Sequence, residues 1–172
     1  MQKMVKKFMQ TPSNPMWPSD IQLAVFDFDG VMTDNTVKVF ADGSEYVEVN
    51  RSDGLGIDAL RNAGMPMMVL STEKHPVVAA RCKKLQIPCH QGIGDKRSYL
   101  EAYLNEQKID PKHVAYLGND TNDLACLQFV GFPVVVADAH PDVLSAAKIV
   151  LKKKGGDGAV REFCDKLLAA RK

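Results

Sequence analysis

The sequence predicts an α/β protein with a central parallel sheet, and three observations point there. From Ile21 onward, short apolar runs alternate with segments of helical period, an order that lays parallel strands side by side and covers them with helices. Polar residues follow four of those runs directly, and in an open parallel sheet the crevice at the carboxyl ends of the strands is where chemistry collects. The third observation is composition: 172 residues, 22 Lys+Arg against 21 Asp+Glu and 45% hydrophobic residues describe one globular domain. A chain of this size buries roughly 70% of its unfolded surface, so it needs neither disulfides nor a structural metal to fold.

Each element has a local reason. Ile21 to Phe26 is a β-branched and aromatic run that stops at polar residues and Gly30, as a buried strand does. Thr36 to Phe40 and Glu45 to Val49 alternate across Asp42-Gly43, a dipeptide suited to the positive φ of a hairpin turn. A helix is expected over Asp53 to Asn62, stopped by Gly64 and Pro66. Strand and helix then alternate: Met67 to Leu70 with Pro76 to Leu85, Pro88 to His90 with Lys96 to Glu106, Val114 to Leu117 with Thr121 to Phe129, and Pro133 to Ala137. In the last helix Val160, Phe163, Cys164, Leu167 and Leu168 share one face, which should dock on the sheet or on another subunit.

Composition also excludes partners. A net charge of +1 with no basic block beyond Lys152, Lys153 and Lys154 gives little drive toward nucleic acid. No apolar run approaches the ~18–20 residues of a membrane span. Cys82, Cys89, Cys126 and Cys164 are scattered without metal-ligand spacing, as expected of reduced thiols in the cytoplasm. Residues 1–20, interrupted by Pro12, Pro15 and Pro18 and lacking an apolar signal-peptide core, are expected to be an arm or linker before a single domain over 21–172.

At the strand ends, Asp27 and Asp29 are two apart, so both carboxylates can face one way before the chain turns at Gly30. Two like charges that close call for a cation, and oxygen ligands from Asp27, the backbone near Asp29 and a side chain of Gly118-Asn119-Asp120 suit Mg²⁺. D-x-D-G is equally a plain turn closing a strand, and the other strand ends decide against that. Ser71 can donate to a phosphoryl oxygen or cap the next helix. Lys96 begins a helix, where the macrodipole disfavours a cation, so it calls for an anionic partner.

V-F-D-F-D-G-V-M-T-D at Val25 to Asp34, Ser71, Lys96 and G-N-D-T-N-D at Gly118 to Asp123 together resemble the four ordered motifs of the haloacid dehalogenase (HAD) superfamily. With no cap-sized insertion, a hairpin after the first motif, V-A-D-A-H-P at Val136 to Pro141 and G-G-D-G-A-V-R-E at Gly155 to Glu162, the chain is similar to the 3-deoxy-D-manno-octulosonate 8-phosphate phosphatase group. That group has relatives acting on nonulosonate 9-phosphates and relatives fused to sialate cytidylyltransferases. The resemblance implies a capless, Rossmannoid three-layer α/β/α sandwich with a projecting β-hairpin. It also implies a Mg²⁺-dependent phosphatase in which Asp27 is the nucleophile and forms an aspartyl-phosphate. Asp29 is then the general acid and later the base. Ser71 and Lys96 hold phosphoryl oxygens, and Asp27, Asp29 and Asn119 hold the metal. Asp123 orients a metal-bound water, with Asp120 and Asp34 in supporting roles.

Two departures from the group matter. The common G-D-D is G-N-D here, so a neutral amide replaces a ligand and metal affinity should fall. Asp120 would compensate if the loop rotates, and the sequence leaves both open. Where the group reads T-G-R after the second strand, this chain has Ser71-Thr72-Glu73. An Arg suits a carboxylate or phosphate, whereas Glu73 favours hydroxyls. Lys84, about three turns on, shares its helix face. A similar Glu and Lys accompany the nine-carbon substrates, so Glu73, Lys84 and Arg161 are expected to contact 2-keto-3-deoxynonulosonate or N-acetylneuraminate 9-phosphate, a sialic acid link. Two alternatives are the octulosonate 8-phosphate, which belongs to lipopolysaccharide biosynthesis, and a non-catalytic oligomerisation domain of an acylneuraminate cytidylyltransferase. Asp157 stands where the group usually has Arg. A capless site needs cover, and relatives obtain it by forming a homotetramer through the hairpin over Thr36 to Val49.

Overall fold

In the computed structural model, which describes residues 16–171, six parallel strands form the centre. The strands are β1 (Leu23–Phe26), β4 (Met67–Leu70), β5 (Cys89–His90), β6 (Val114–Gly118), β7 (Phe132–Val135) and β8 (Ile149–Val150), in the order β5-β4-β1-β6-β7-β8. β1 is therefore interior, with Val25 opposite both Met68 and Tyr116. Side chains alternate across it as strand pleating requires. Ala24 and Phe26 join one apolar cluster with α1 (Arg51–Asn62), α2 (Val77–Leu85) and α6 (Ala159–Ala170). Leu23 and Val25 join the other with α3 (Lys96–Gln107), α4 (Leu124–Phe129) and α5 (Pro141–Leu144). Three layers and two cores result, with the fold class expected.

Local chemistry sets the helix starts. Asn50 accepts from Ser52 N at 2.9 Å to cap α1, and Asp95 accepts from Ser98 N at 3.0 Å to cap α3, so each covers a free N–H of a first turn. The N-cap of α6 is Gly158, which has no side chain to cap with. Asp53 of α1 does that work across the interface, accepting from Arg161 N at 3.0 Å. The two helices approach closely because Gly56 has no Cβ: one built there would lie 2.9 Å from Cys164 Cβ. The face of α6 thus docks on α1 and the sheet, where Phe163 meets Phe26 edge-on at 5.4 Å.

Several expectations change. The hairpin strands β2 (Lys38–Val39) and β3 (Glu45–Tyr46) are shorter than the alternating pattern and form a separate two-stranded sheet. Its residues have no core to alternate against, and Val37, Val39 and Phe40 are all at least half exposed. The helix expected over Thr121 to Phe129 begins as a 3-10 turn, Thr121–Asp123, because Asp120 and Asp123 form a reciprocal capping box there. The short α5 and β8 lack the length that a periodic signal needs. Of the arm expected over residues 1–20, residues 1–15 lie outside the described residues. Trp17 packs on the core, 5.1 Å from Phe132 and 5.4 Å from Phe163, so the packed unit begins before Ile21. Among the described residues no helix is long and apolar enough to cross a membrane.

Candidate active site

The ends of three strands, β1, β5 and β6, converge on one buried ion-pair network. Asp27 follows β1 and is tied to β6 by its own N–H, 3.0 Å from Leu117 O. Its Oδ1 lies 2.7 Å from Lys96 Nζ and 2.7 Å from Phe28 N. The same ammonium is 2.8 Å from Asp123 Oδ1. Asp27, Lys96 and Asp123 are 3%, 2% and 0% exposed, so these charges are held by one another instead of by water. The anionic partner that Lys96 required at the start of α3 is this pair of carboxylates.

Burial pushes Asp27 up to about 7, the nearby Asp123 charge adds to the rise, and Lys96 and Phe28 N–H hold it back. Burial works against the Lys96 cation, but the two carboxylates more than offset it and raise its proton affinity overall. Asp29, half-buried, is raised by burial and then by the Glu73 charge. A carboxyl that keeps its proton longer than usual is suited to donating one to a leaving group.

The two residues expected as alternative metal ligands both line the cleft but differ in their contacts. The Asp120 carboxylate accepts from Thr121 N at 2.6 Å and is committed to its own turn. The Asn119 side-chain amide instead reaches into the site, one end 2.9 Å from Asp29 O and 3.3 Å from Asp27 Oδ2. With nitrogen at that end the amide donates to both. With oxygen there, three oxygens converge, and a hard cation is what relieves such a set. A donor set of one carboxylate, one main-chain carbonyl and one amide fits Mg²⁺, and the described residues contain no cluster of three His, Cys, Asp or Glu side chains to compete for it. The amide fits because position 30 is glycine: a Cβ there would lie 2.0 Å from Asn119 Nδ2.

Ser71 is buried and its Oγ accepts from Glu73 N at 3.1 Å. It therefore closes the β4–α2 turn and does not cap α2, whose N-cap is Pro76. An open cleft of about 320 Å³ exposes Asp27, Asp29, Thr72 and Asn119. It shares Asp29 and Asn35 with a second cavity of about 270 Å³ that the hairpin and the β4–α2 loop enclose, lined by Glu45, Tyr46, Glu73 and His75.

The helix face expected to carry Glu73 and Lys84 together is not formed. Glu73 precedes α2 and turns back to accept from Lys74 N and His75 N at 2.6 and 2.7 Å. It shares no helix face with Lys84, which is exposed in the last turn of α2, the end away from the cleft. Arg161 lines neither cavity of its own chain. Its Nε is paired with Asp165 at 2.8 Å beside a separate surface cavity of about 510 Å³. In the other direction, Tyr116 was not singled out from the sequence, yet its hydroxyl donates to Asp123 Oδ1 at 2.6 Å. The available signal was one hydroxyl in the otherwise apolar run of β6.

A capless parallel sheet with a carboxylate after its central strand and a buried lysine against it defines a phosphatase of the HAD class, and a family model for haloacid dehalogenase-like hydrolases matches residues 89–163. The chain is 36% identical over 153 residues to the 3-deoxy-D-manno-octulosonate 8-phosphate phosphatase of Escherichia coli, covering 88% of this chain and 81% of that one. It belongs to that phosphatase family. A solved HAD family protein from Streptomyces avermitilis is 50% identical with a TM-score of 0.87, covering 90% of this chain and 89% of that chain. The octulosonate 8-phosphate phosphatase of Moraxella catarrhalis, solved with magnesium, phosphate and 3-deoxy-D-manno-octulosonate, is 30% identical with a TM-score of 0.86, covering 89% of this chain and 88% of that chain.

Proposed function

We propose that this chain is a Mg²⁺-dependent phosphatase of 2-keto-3-deoxy sugar-acid phosphates, with 3-deoxy-D-manno-octulosonate 8-phosphate as its substrate, working through an aspartyl-phosphate on Asp27. The observation that carries this reading is the Asp27–Lys96–Asp123 network at the floor of an open cleft. The substrate is supported by the relatives named above. A non-catalytic oligomerisation domain would have no reason to keep so costly a buried cluster.

The Asp27 carboxylate attacks phosphorus, and the phosphorus–oxygen bond to the sugar breaks. Asp29 gives its proton to the departing sugar oxygen, then takes one from the water that attacks the aspartyl-phosphate, and inorganic phosphate leaves. Lys96 has one N–H beyond those facing the two carboxylates, and with the Ser71 hydroxyl it holds the transferring oxygens. Asp27, the Asp29 carbonyl and Asn119 would hold a divalent cation, whose positive charge would favour the ionised form of Asp27 and offset its repulsion from phosphate. The sugar occupies the cavity of about 270 Å³ beneath the hairpin. The exposed Val37, Val39 and Phe40 on that hairpin support a homotetramer closed through it. Four free cysteines support a cytoplasmic setting.

A second substrate is favoured by one specific observation. Glu73 lines the sugar cavity beside Glu45 and Asp29, and this acidic wall suits the longer hydroxylated tail of a nonulosonate 9-phosphate. Phosphate release with Mg²⁺ from octulosonate 8-phosphate, deoxynonulosonate 9-phosphate and N-acetylneuraminate 9-phosphate, each against a chelated control and Asp27→Asn, tests both. A kcat/KM above ~10⁴ M⁻¹s⁻¹ on one ester names the substrate. Turnover retained by folded Asp27→Asn removes Asp27 as nucleophile, and background rates on all three remove the proposal.

A further inference from the structure

Asp123 touches neither cavity, yet the geometry around it is more constrained than that of any other carboxylate in the site. Its Oδ1 receives Lys96 Nζ at 2.8 Å and Tyr116 OH at 2.6 Å. Its Oδ2 receives Asn119 N at 2.9 Å and Asp120 N at 3.4 Å. Gly118 makes room for it, since a Cβ there would lie 2.6 Å from Oδ2. Both oxygens are therefore fixed, one set of donors coming from β6 and its exit loop, the other from α3.

Tyr116 is the donor that needs an explanation. It is fully buried in a strand that reads Val-Ala-Tyr-Leu-Gly, where an apolar ring would pack as well. A buried hydroxyl is costly unless it is hydrogen-bonded, and its partner here is a side-chain carboxylate, not the backbone. That carboxylate in turn holds Lys96, whose other contact is Asp27 at 2.7 Å. A continuous line of short polar contacts runs from the strand hydroxyl through Asp123 and Lys96 to the residue read above as the nucleophile.

We propose that Tyr116 is a positioning residue: by fixing the Asp123 carboxylate from inside the sheet, its hydroxyl sets where Lys96 sits between Asp123 and Asp27. Without it Oδ1 is left with Lys96 as its one donor, the carboxylate can tilt on the two Oδ2 bonds that remain, and the ammonium follows it away from Asp27. The effect falls on the chemical step and not on sugar binding, because neither Tyr116 nor Asp123 lines the sugar cavity. This inference rests on the assignment of Asp27 and Lys96 in the proposed function.

The test compares Tyr116→Phe, Asp123→Asn and the double variant with the unaltered protein, on whichever ester the unaltered protein turns over. Tyr116→Phe is expected to lower kcat about tenfold, the scale of one hydrogen bond to a charged group, with KM within about twofold. In the double variant the second change should add little to the first, as residues acting in one line do. An unchanged kcat, or additive losses, would overturn the proposal, as would a lower melting temperature with kinetics intact, which marks a merely structural hydroxyl. Beryllofluoride binding by calorimetry separates this failure from that of the proposed function. If the unaltered protein turns over no ester, Tyr116→Phe should still bind the phosphoryl mimic about tenfold more weakly, and equal affinity would overturn the positioning role by itself.

Discussion

Replacing Lys96 with methionine removes the ammonium from the centre of the site while keeping most of its stem volume. Two nearly fully buried carboxylates, Asp27 at 2.7 Å and Asp123 at 2.8 Å, lose their common partner. Breaking a buried ion pair from one side costs ~3–5 kcal/mol, because the remaining charge is left uncompensated. In a chain of this size each kcal/mol lowers Tm by about 2–4 °C, so the metal-free variant should melt about 6–20 °C lower. The pH dependence has a definite sign. Asp27 is pushed up to about 7 in the fold, above its ordinary value, so its contribution to stability is full below the usual carboxylate range and is lost as pH rises through about 7. Lys96 is one of the groups holding that value down. Its removal raises that value further, so variant and parent lose stability in parallel up to about pH 7 and the gap between them should widen only above it. Circular-dichroism melts with chelator below and above that pH read both quantities. A gap within about 2 °C at the alkaline end, or one that does not change with pH, would refute the placement of Lys96 between the Asp27 and Asp123 side chains.

Three further outcomes are expected. Asn119→Asp adds a full negative charge beside Asp27 and Asp29, so calorimetric titration should show Mg²⁺ binding tightened by about tenfold or more; an unchanged Kd means that Asn119 is not a ligand. Glu73→Gln removes a charge that raises Asp29, so the alkaline limb of the kcat/KM profile should move to lower pH if Asp29 is the general acid, and a static profile counts against that role. Gly155→Ala places a Cβ 2.0 Å from Gly30 O. It should cost ~1–3 kcal/mol, measured by urea denaturation, and lower kcat as well because Gly30 leads into the catalytic loop; a neutral variant would mean that the loop gives way freely.

The central strands were legible because each carries several consecutive buried positions, as in Leu23 to Phe26 and Met67 to Leu70, and the chemistry after them was legible because polar residues there interrupt apolar runs. Short elements were not. Ile149–Val150 exists through its pairing with Val134 and Val135, a partner no local pattern announces. The Glu73 and Lys84 argument failed for a related reason: it assumed helix from Glu73 onward, but His75-Pro76 delays α2 until Val77 and the backbone between turns on Ser71 and Glu73. That Asp120 caps its own turn while the Asn119 amide reaches Asp27 and the Asp29 carbonyl is a property of side-chain direction that spacing alone does not contain. Tyr116 was hidden because a tyrosine in a strand ordinarily reports packing, and only the position of Asp123 turns its hydroxyl toward the site.

The contact between the Gly155-Gly156 loop and the first catalytic loop has a temporal meaning. Gly156 N–H donates to Val31 O at 3.1 Å, and Gly155 N–H donates to Asp138 Oδ1 at 3.0 Å, so the segment beginning at Gly30 is braced by chain made about 125 residues later. Synthesis runs from the amino end, and domains fold as their segments leave the ribosome. Asp27 thus emerges well before the loop that locks its segment in place. A nascent chain carrying the whole Asp27–Lys96–Asp123 network still lacks the brace that seats its first member, so the finished site is expected to form late and all at once, when the sequence around Gly156 clears the exit tunnel.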